Sequence, residues 1–177
     1  MQDVMIDLET MGQGPDAAIV AIGAIEFDRE TREIGEKFYL TVDLESAVRL
    51  GGVMDPSTVM WWMRQSEHAR QALDGKTDIA TALARFSGWL RGRADLGQVR
   101  IWGNGSDFDN VILSSAYKRL LLPTPWKFWN NRCYRTWKNE HHDVPMVRGG
   151  THHNALDDAV SQAKHVLCVP FEMPPAA

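Results

Sequence analysis

Acidic residues recur at three places in the chain where their spacing could support metal-assisted chemistry. The first place is Asp7-Leu8-Glu9-Thr10, where two acids alternate within a run of Val, Ile, Leu and Met. Alternation with period two predicts a strand over residues 4–10 and puts both carboxylates on one face, about 6–7 Å apart. Carboxylates on a core strand are costly unless a cation pairs with them. The segment is therefore either an edge strand facing solvent or part of a charged site.

The second place is the turn from Gly103 to Asn110, which contains Asn104, Asp107 and Asp109. It follows a predicted strand and opens a predicted helix, and the carboxyl ends of strands are where α/β folds usually place their sites. No Gly-Lys-Ser/Thr follows, so this is not a phosphate-binding loop of the P-loop type. The structural alternative is that Asp107 or Asp109 only caps the helix.

The third place is residues 149–158, where a Gly-Gly loop delivers His153 just before a helix that begins with Asp157 and Asp158. Acids also favour the positive end of a helix dipole, which is the structural alternative here. Helical periodicity does not choose between Asp157 and Asp158, because they flank the apolar stripe almost symmetrically. Small residues beside Asp158 slightly favour it, because they let that side approach a sheet closely.

Four acids and one histidine, if the fold brings them together, indicate two-metal hydrolysis of a phosphodiester. Two divalent ions about 3.5–4 Å apart need several carboxylates, one of them bridging. Mg²⁺ and Mn²⁺ prefer oxygen ligands, which fits a carboxylate set without cysteine. A histidine with an ordinary pKa of about 6.5 can accept the proton of an attacking water at neutral pH.

The elements that must position these residues read as an α/β layered domain with a mixed sheet. Strands are predicted over residues 4–10, 19–27 and 38–42, close enough in sequence to form an antiparallel meander, and over residues 99–102. Helices are predicted over residues 58–63, 67–73, 78–90, 109–122 and 153–169. Residues 130–137 are ambiguous.

Length and composition bound the class of protein. The chain has 177 residues with a net charge of −4, which fits one domain over residues 1–169 followed by a proline-rich C-terminal tail, residues 170–177. Its two cysteines suggest neither a zinc cluster nor an extracellular disulfide framework. The acidic N-terminus is unlike a signal peptide, and no apolar run reaches the ~20 residues of a membrane span. We therefore expect a cytoplasmic protein without a membrane partner.

The acidic balance argues against a protein that grips nucleic acid through bulk positive charge. It hides an uneven distribution, because residues 111–150 hold seven basic and only two acidic side chains. A basic stretch with interleaved aromatic residues could track a phosphate backbone. The alternative is a solvated surface with scattered Lys and Arg.

The three motifs resemble those of the DEDDh family of 3′–5′ exonucleases, which have a ribonuclease H-like fold. Asp7-Leu8-Glu9-Thr10 resembles the family's first motif, Phe108-Asp109 the second, and His153-x-x-x-x-Asp158 the third. The likeness spans positions 4 to about 165. The turn around Asn104, with the Trp61-Trp62 pair, is most similar to a phage and bacterial branch described as exoribonuclease-like or exodeoxyribonuclease VIII-like. The fold implied is a central mixed sheet of five or six strands flanked by helices.

The resemblance also implies roles for the site residues. Asp7 and Asp158 would hold the more buried of two Mg²⁺ or Mn²⁺ ions, with Asp7 bridging both. Glu9 and Asp109 would complete the shell directly or through water, and Glu9 could also contact the terminal 3′-OH. His153 would be the general base. Its spacing to Asp158 favours it over the neighbouring His152.

Substrate contacts are predicted at four positions. The resemblance implies that Thr10 and Met11 would line the pocket of the terminal nucleotide, and Asn104 is predicted as a further contact. Helical spacing predicts that one of Trp61 and Trp62 is buried while the other contacts substrate. Trp62 is assigned to the substrate, although the pattern does not decide between the two.

The sequence thus predicts a metal-dependent 3′–5′ exonuclease that releases nucleoside 5′-monophosphates from the free 3′ end of single-stranded RNA or DNA. One alternative is a catalytically silent nucleic-acid-binding module of the same fold, against which the full set of acids argues. Another is a phosphatase, whose chemistry needs Asp-x-Asp where this chain has Glu9. Relatives commonly dimerise, and nothing in the sequence decides whether this chain forms a homodimer.

Overall fold

Strand β1 (Asp3–Thr10) lies at the centre of a five-stranded mixed sheet in the computed structural model, which describes residues 2–170. The strand order is β3-β2-β1-β4-β5. Strands β2 (Ile19–Asp28) and β3 (Glu33–Thr41) continue from β1 as an antiparallel meander, as predicted. Strands β4 (Arg100–Gly103) and β5 (Asn131–Cys133) run parallel to β1. The central position excludes an edge-strand explanation for the acids of β1.

Seven α-helices accompany the sheet in the described part of the chain. They are α1 (Leu44–Arg49), α2 (Pro56–Trp62), α3 (Glu67–Arg70), α4 (Ile79–Arg91), α5 (Asp109–Arg119), α6 (Tyr134–Glu140) and α7 (Ala155–Leu167). The sequence did not predict α1, because fewer than two turns are too short to show helical periodicity. The ambiguous segment at 130–137 divides into the end of a 3₁₀ turn (Phe128–Asn130), β5 and the start of α6.

The two faces of β1 pack against different helices. Val4, Ile6 and Leu8 join the larger core, which α4 and α5 cover with residues such as Phe86 and Ile112. Met5 points to the opposite face and packs in the core beside α7. Because side chains alternate along a strand, Asp7 and Glu9 share the α7 face with Met5.

Two further sequence predictions concern the C-terminal tail and membrane-spanning segments. The predicted tail, residues 170–177, lies outside the described residues except for Pro170. No helix within residues 2–170 is long and apolar enough to cross a bilayer.

Candidate active site

The carboxylates of Asp7, Glu9 and Asp158 form the centre of the site. One oxygen from each lies within 4.8 Å of the others. Asp7 and Glu9 come from the α7 face of β1, and Asp158 comes from the first turn of α7. The structure therefore brings Asp158 into the site. Asp157 instead accepts a hydrogen bond from Thr151 N at 2.8 Å.

Gly23 allows the N-terminus of α7 to come this close to the sheet. It pairs with Asp7 across β1 and β2. A Cβ atom at position 23 would overlap the backbone of Ala155 and Leu156. Asn154 then fixes the start of α7, because its side-chain oxygen accepts hydrogen bonds from the N–H groups of Leu156 and Asp157.

Asp109, the first residue of α5, lies buried next to this centre, and its charge acts on Asp7. Its Oδ1 accepts a hydrogen bond from Leu8 N at 3.0 Å, and its Oδ2 accepts one from Asn104 N at 2.7 Å. Asp109 is therefore not merely a helix cap, since Phe108 holds the N-cap position without a side-chain bond. Gly103 makes room for this turn, because a Cβ there would overlap the side chain of Asn110.

Like charges and burial make the centre costly for carboxylates. Burial, followed by the charges of Asp109, Glu9 and Asp158, raises the pKa of Asp7 well above its usual value. Burial and the charges of Asp158 and Asp109 raise the pKa of Glu9 to about 8. Burial also raises the pKa of Asp109 to about 6, although three backbone N–H groups and Arg135 oppose the shift. Such a site favours a bound cation, because positive charge removes the repulsion.

Two side chains that the sequence did not single out contact these acids. Arg148 Nη1 lies 2.7 Å from Asp158 Oδ1. Gln162 Nε2 donates to Asp7 Oδ1 at 2.8 Å, while the buried Gln162 Oε1 has no hydrogen-bond partner among the described residues. Gln162 lies four residues after Asp158, so helical spacing could have found it. Arg148 lies in a loop, where no periodicity marks it.

His153 lies at the rim of the carboxylate centre in a left-handed backbone conformation, with φ of 63°. Its backbone N–H donates to Asp158 Oδ2 at 3.0 Å, which ties the loop to α7. Partial burial and neighbouring His152 lower the pKa of the His153 imidazole, although Asp158 opposes the shift. The ring is therefore neutral at neutral pH and can accept a proton.

A cavity of about 510 Å³ opens above the carboxylates. Its lining includes Asp7, Glu9 and Asp158, together with His153 and the exposed indole of Trp61. The centroids of the Trp61 and His153 rings are 4.7 Å apart, in an edge-to-face arrangement. The cavity is large enough for a nucleotide-sized ligand.

The predicted substrate contacts divide into two groups. Thr10 and Asn104 line the cavity. Met11, in contrast, is 4% exposed, packs in the core and is not part of the lining. Trp62 borders the cavity but is only 2% exposed, and its indole N–H donates to Thr10 O at 2.9 Å. Trp61, which also lines the cavity, is 38% exposed and is therefore the more accessible of the two indoles.

The sequence of this chain is similar to those of known exonucleases. A family model described as 3′–5′ exoribonuclease Rv2179c-like domain matches residues 2–169. The exodeoxyribonuclease of Enterobacteria phage T4 is 30% identical over 161 residues, covering 77% of this chain and 70% of the phage protein.

Two solved structures have a similar fold at low identity. The nuclease domain of 3′hExo, a DEDDh family member bound to rAMP, has a TM-score of 0.64 at 17% identity, covering 94% of this chain and 90% of that one. E. coli exonuclease I with a dA16 oligonucleotide has a TM-score of 0.65 at 16% identity, covering 93% of this chain. The match spans only 40% of exonuclease I. These likenesses confirm the predicted ribonuclease H-like fold of the DEDDh exonucleases.

The three DEDDh-like motifs meet in one cavity, and the family model covers all three. On this evidence the chain belongs to the Rv2179c-like family of 3′–5′ exoribonuclease domains.

Proposed function

We propose that this 3′–5′ exonuclease uses two divalent ions, Mg²⁺ or Mn²⁺, to release nucleoside 5′-monophosphates from the 3′ end of single-stranded nucleic acid. The observation that carries the proposal is the cluster of Asp7, Glu9 and Asp158, which lines one open cavity together with His153. Asp109 lies buried next to this cluster, and its charge acts on Asp7. A structural role for these acids would require matched cations, and the centre has one ion pair, that of Arg148, among the described residues.

The donor set fits hard divalent cations. It offers carboxylate oxygens and no thiolate, and such oxygens are the ligands that Mg²⁺ and Mn²⁺ prefer. The raised pKa values of Asp7 and Glu9 mark carboxylates that lack enough positive charge nearby. The pair of divalent ions, when bound, supplies Lewis-acid stabilisation of the charge that develops on the phosphate oxygens.

Each side chain has a proposed part in this chemistry. Asp7, Glu9 and Asp158 would hold the ions, and Asp109 would complete the shell directly or through water. His153 accepts the proton of the attacking water, for which its lowered pKa keeps it unprotonated at neutral pH.

The side walls of the cavity suit a terminal nucleoside. Trp61 presents an exposed ring on which a base or sugar can pack, and Thr10 lines the same cavity. Trp62 packs edge-to-face against Trp61, and its indole N–H donates to Thr10 O. Stacking tolerates every base, so we expect little sequence preference from this contact.

Oligonucleotide digestion tests the proposal. Matched single-stranded RNA and DNA decamers, each with a free or a 3′-phosphorylated end, are incubated with the protein and Mn²⁺ or Mg²⁺. We expect stepwise shortening from the free 3′ end with release of 5′-monophosphates, and no shortening in EDTA. Release of nucleoside 3′-monophosphates, internal cleavage, or activity that survives EDTA would contradict it.

The same assay separates the alternatives. A silent binding module would bind the decamers without shortening them. A phosphatase would remove the 3′-phosphate and leave the phosphodiester bonds intact. The decamers thus report on all three functions in one experiment.

A further inference from the structure

A second cavity, of about 300 Å³, adjoins the carboxylate centre and has the opposite charge. Arg135 and Lys138 of α6 line it, and Arg148 lies on its boundary. None of the residues that line this cavity is acidic. It shares Asn104, Arg148 and Gln162 with the carboxylate cavity, so the two cavities are direct neighbours.

The two α6 cations are positioned to act together. Arg135 and Lys138 are three residues apart, which places them on one face of the helix. Arg135 Nη2 donates to Asn104 O at 2.9 Å, which holds its guanidinium at the boundary between the cavities. Neither side chain is ion-paired with an acid within residues 2–170. Their charge is therefore available to an anion.

We infer that Arg135 and Lys138, with Arg148, form a subsite for the phosphate next to the scissile one in a bound polynucleotide. The inference rests on the proposed function. In a strand held by its 3′ end, the terminal sugar carries no further phosphate, so every remaining phosphate lies on the 5′ side of the bond that is cut. The terminal nucleoside occupies the Trp61 wall, and the rest of the strand leaves past Asn104 into the basic cavity.

The basic subsite also explains how an acidic chain binds a polyanion. The net charge is −4, and three acids of the centre lie within 4.8 Å of one another. Cations that neutralise backbone phosphates release counterions and supply sequence-independent affinity. Placing them one nucleotide away from the acids favours substrates of at least two linkages over a single phosphodiester.

Binding in EDTA tests the subsite without any cleavage. The probes are 5′-fluorescein decamers of DNA and of 2′-O-methyl RNA, each with either normal linkages or a neutral methylphosphonate at the second linkage from the 3′ end. Fluorescence anisotropy compares wild type with Lys138→Ala, Arg135→Ala and the control Lys118→Ala, which removes an exposed lysine of α5.

We expect Lys138→Ala to weaken binding of a normal decamer about fivefold and to lower the salt dependence by about one counterion. Arg135→Ala should have a similar or larger effect, whereas Lys118→Ala should change binding less than about twofold. With the methylphosphonate decamers, wild type and Lys138→Ala should bind equally. An equal loss on both kinds of decamer, or no loss on either, would overturn the subsite.

Failure of the subsite is distinguishable from failure of the proposed function. Thymidine 5′-p-nitrophenyl phosphate has one phosphodiester and no phosphate on the 5′ side, so its hydrolysis by wild type with Mn²⁺ reports on the carboxylate centre alone. If the diester is hydrolysed but the expected binding pattern is not observed, the proposed function stands and the subsite is overturned. If the binding pattern is observed but neither this diester nor the decamers are hydrolysed, the proposed function is overturned. The inferred position of the subsite next to the scissile phosphate is then overturned with it.

Discussion

Strand β1 carries buried acids near both of its ends, and the two ends are built differently. At the N-terminal end, Asp3 is fully buried and accepts two hydrogen bonds from Arg100, at 2.7 and 2.6 Å. Trp102 Nε1 donates to the same carboxylate at 2.7 Å, and Arg29 lies 3.6 Å away. At the C-terminal end, Asp7 and Glu9 lie beside another carboxylate, that of Asp158, with one oxygen of each within 4.8 Å of the others.

The difference separates a structural acid from a ligand-binding acid. A buried carboxylate whose oxygens are bonded to matched cations and N–H donors stabilises the fold in which it is paired. A buried cluster of carboxylates with too few donors remains costly until a cation arrives. Asp3 belongs to the first kind, and Asp7 and Glu9 belong to the second.

Asp7→Asn should produce the largest effect on activity. It removes one charge and one oxygen ligand from the centre, so we expect turnover to fall about a thousandfold or more, equivalent to about 4 kcal/mol of transition-state stabilisation. Its free energy of unfolding in EDTA should not fall, because the substitution relieves like-charge repulsion. Decamer digestion and urea unfolding measure the two quantities, and near-wild-type turnover would refute the assignment of Asp7.

His153→Ala should lower kcat by about 10²- to 10⁴-fold, the usual contribution of a general base. The carboxylates remain in place, so binding of Mn²⁺ should persist. His152→Ala is the matched control, because the two rings lie 3.8 Å apart by their centroids, and its loss should be much smaller. A larger loss for His152→Ala would transfer the role of base to that residue.

Asp3→Asn should affect the opposite end of β1 and the opposite property. Removing one partner leaves Arg100 without its carboxylate, so the free energy of unfolding should drop by about 3 kcal/mol. Turnover per folded molecule should stay at the wild-type value. The control is Glu45→Gln, which breaks an exposed pair with Arg49 and should cost less than about 1 kcal/mol. Equal costs for the two variants would show that burial does not distinguish them.

The pH dependence of stability should report on the C-terminal end of β1, where Glu9 lies. Folding raises the pKa of Glu9 from 4.5 to about 8, so the folded state keeps a proton that the unfolded state releases. Stability should therefore fall as pH rises through this window, and the thermal midpoint in EDTA should be lower at about pH 8 than at about pH 5. Mn²⁺ should raise the midpoint more at the higher pH, because it competes with protons for the carboxylates. A flat profile in EDTA would contradict this.

The sequence predicted the acids at the C-terminal end of β1, because alternation along a strand is a local signal. Period two placed Asp7 and Glu9 on one face, and the motif order predicted that His153 and Asp158 would join them around one cavity. Asp109, which the same motif order predicted, lies buried next to them and is bonded to Leu8 N. The need for glycine at position 23 could not be predicted, because it arises from contact with the backbone of α7, which is remote in sequence.

Other features could not be predicted for the same reason. Trp61 and Trp62 are adjacent on a helix of under two turns, and only the packing of β1 shows which one is buried. Arg148 contacts Asp158 from a loop without periodicity. Asp3 looks like Asp7 in the sequence, and only the pairing of β1 with β4 brings Arg100 beside it.

Calorimetric titration of Mn²⁺ into the EDTA-treated and dialysed protein tests the central claim most directly. The site at the C-terminal end of β1 should bind two ions per chain in wild type and in Asp3→Asn. Asp7→Asn should lose saturable binding of at least one ion. Absence of saturable binding in wild type, or identical titrations for wild type and Asp7→Asn, would contradict the account.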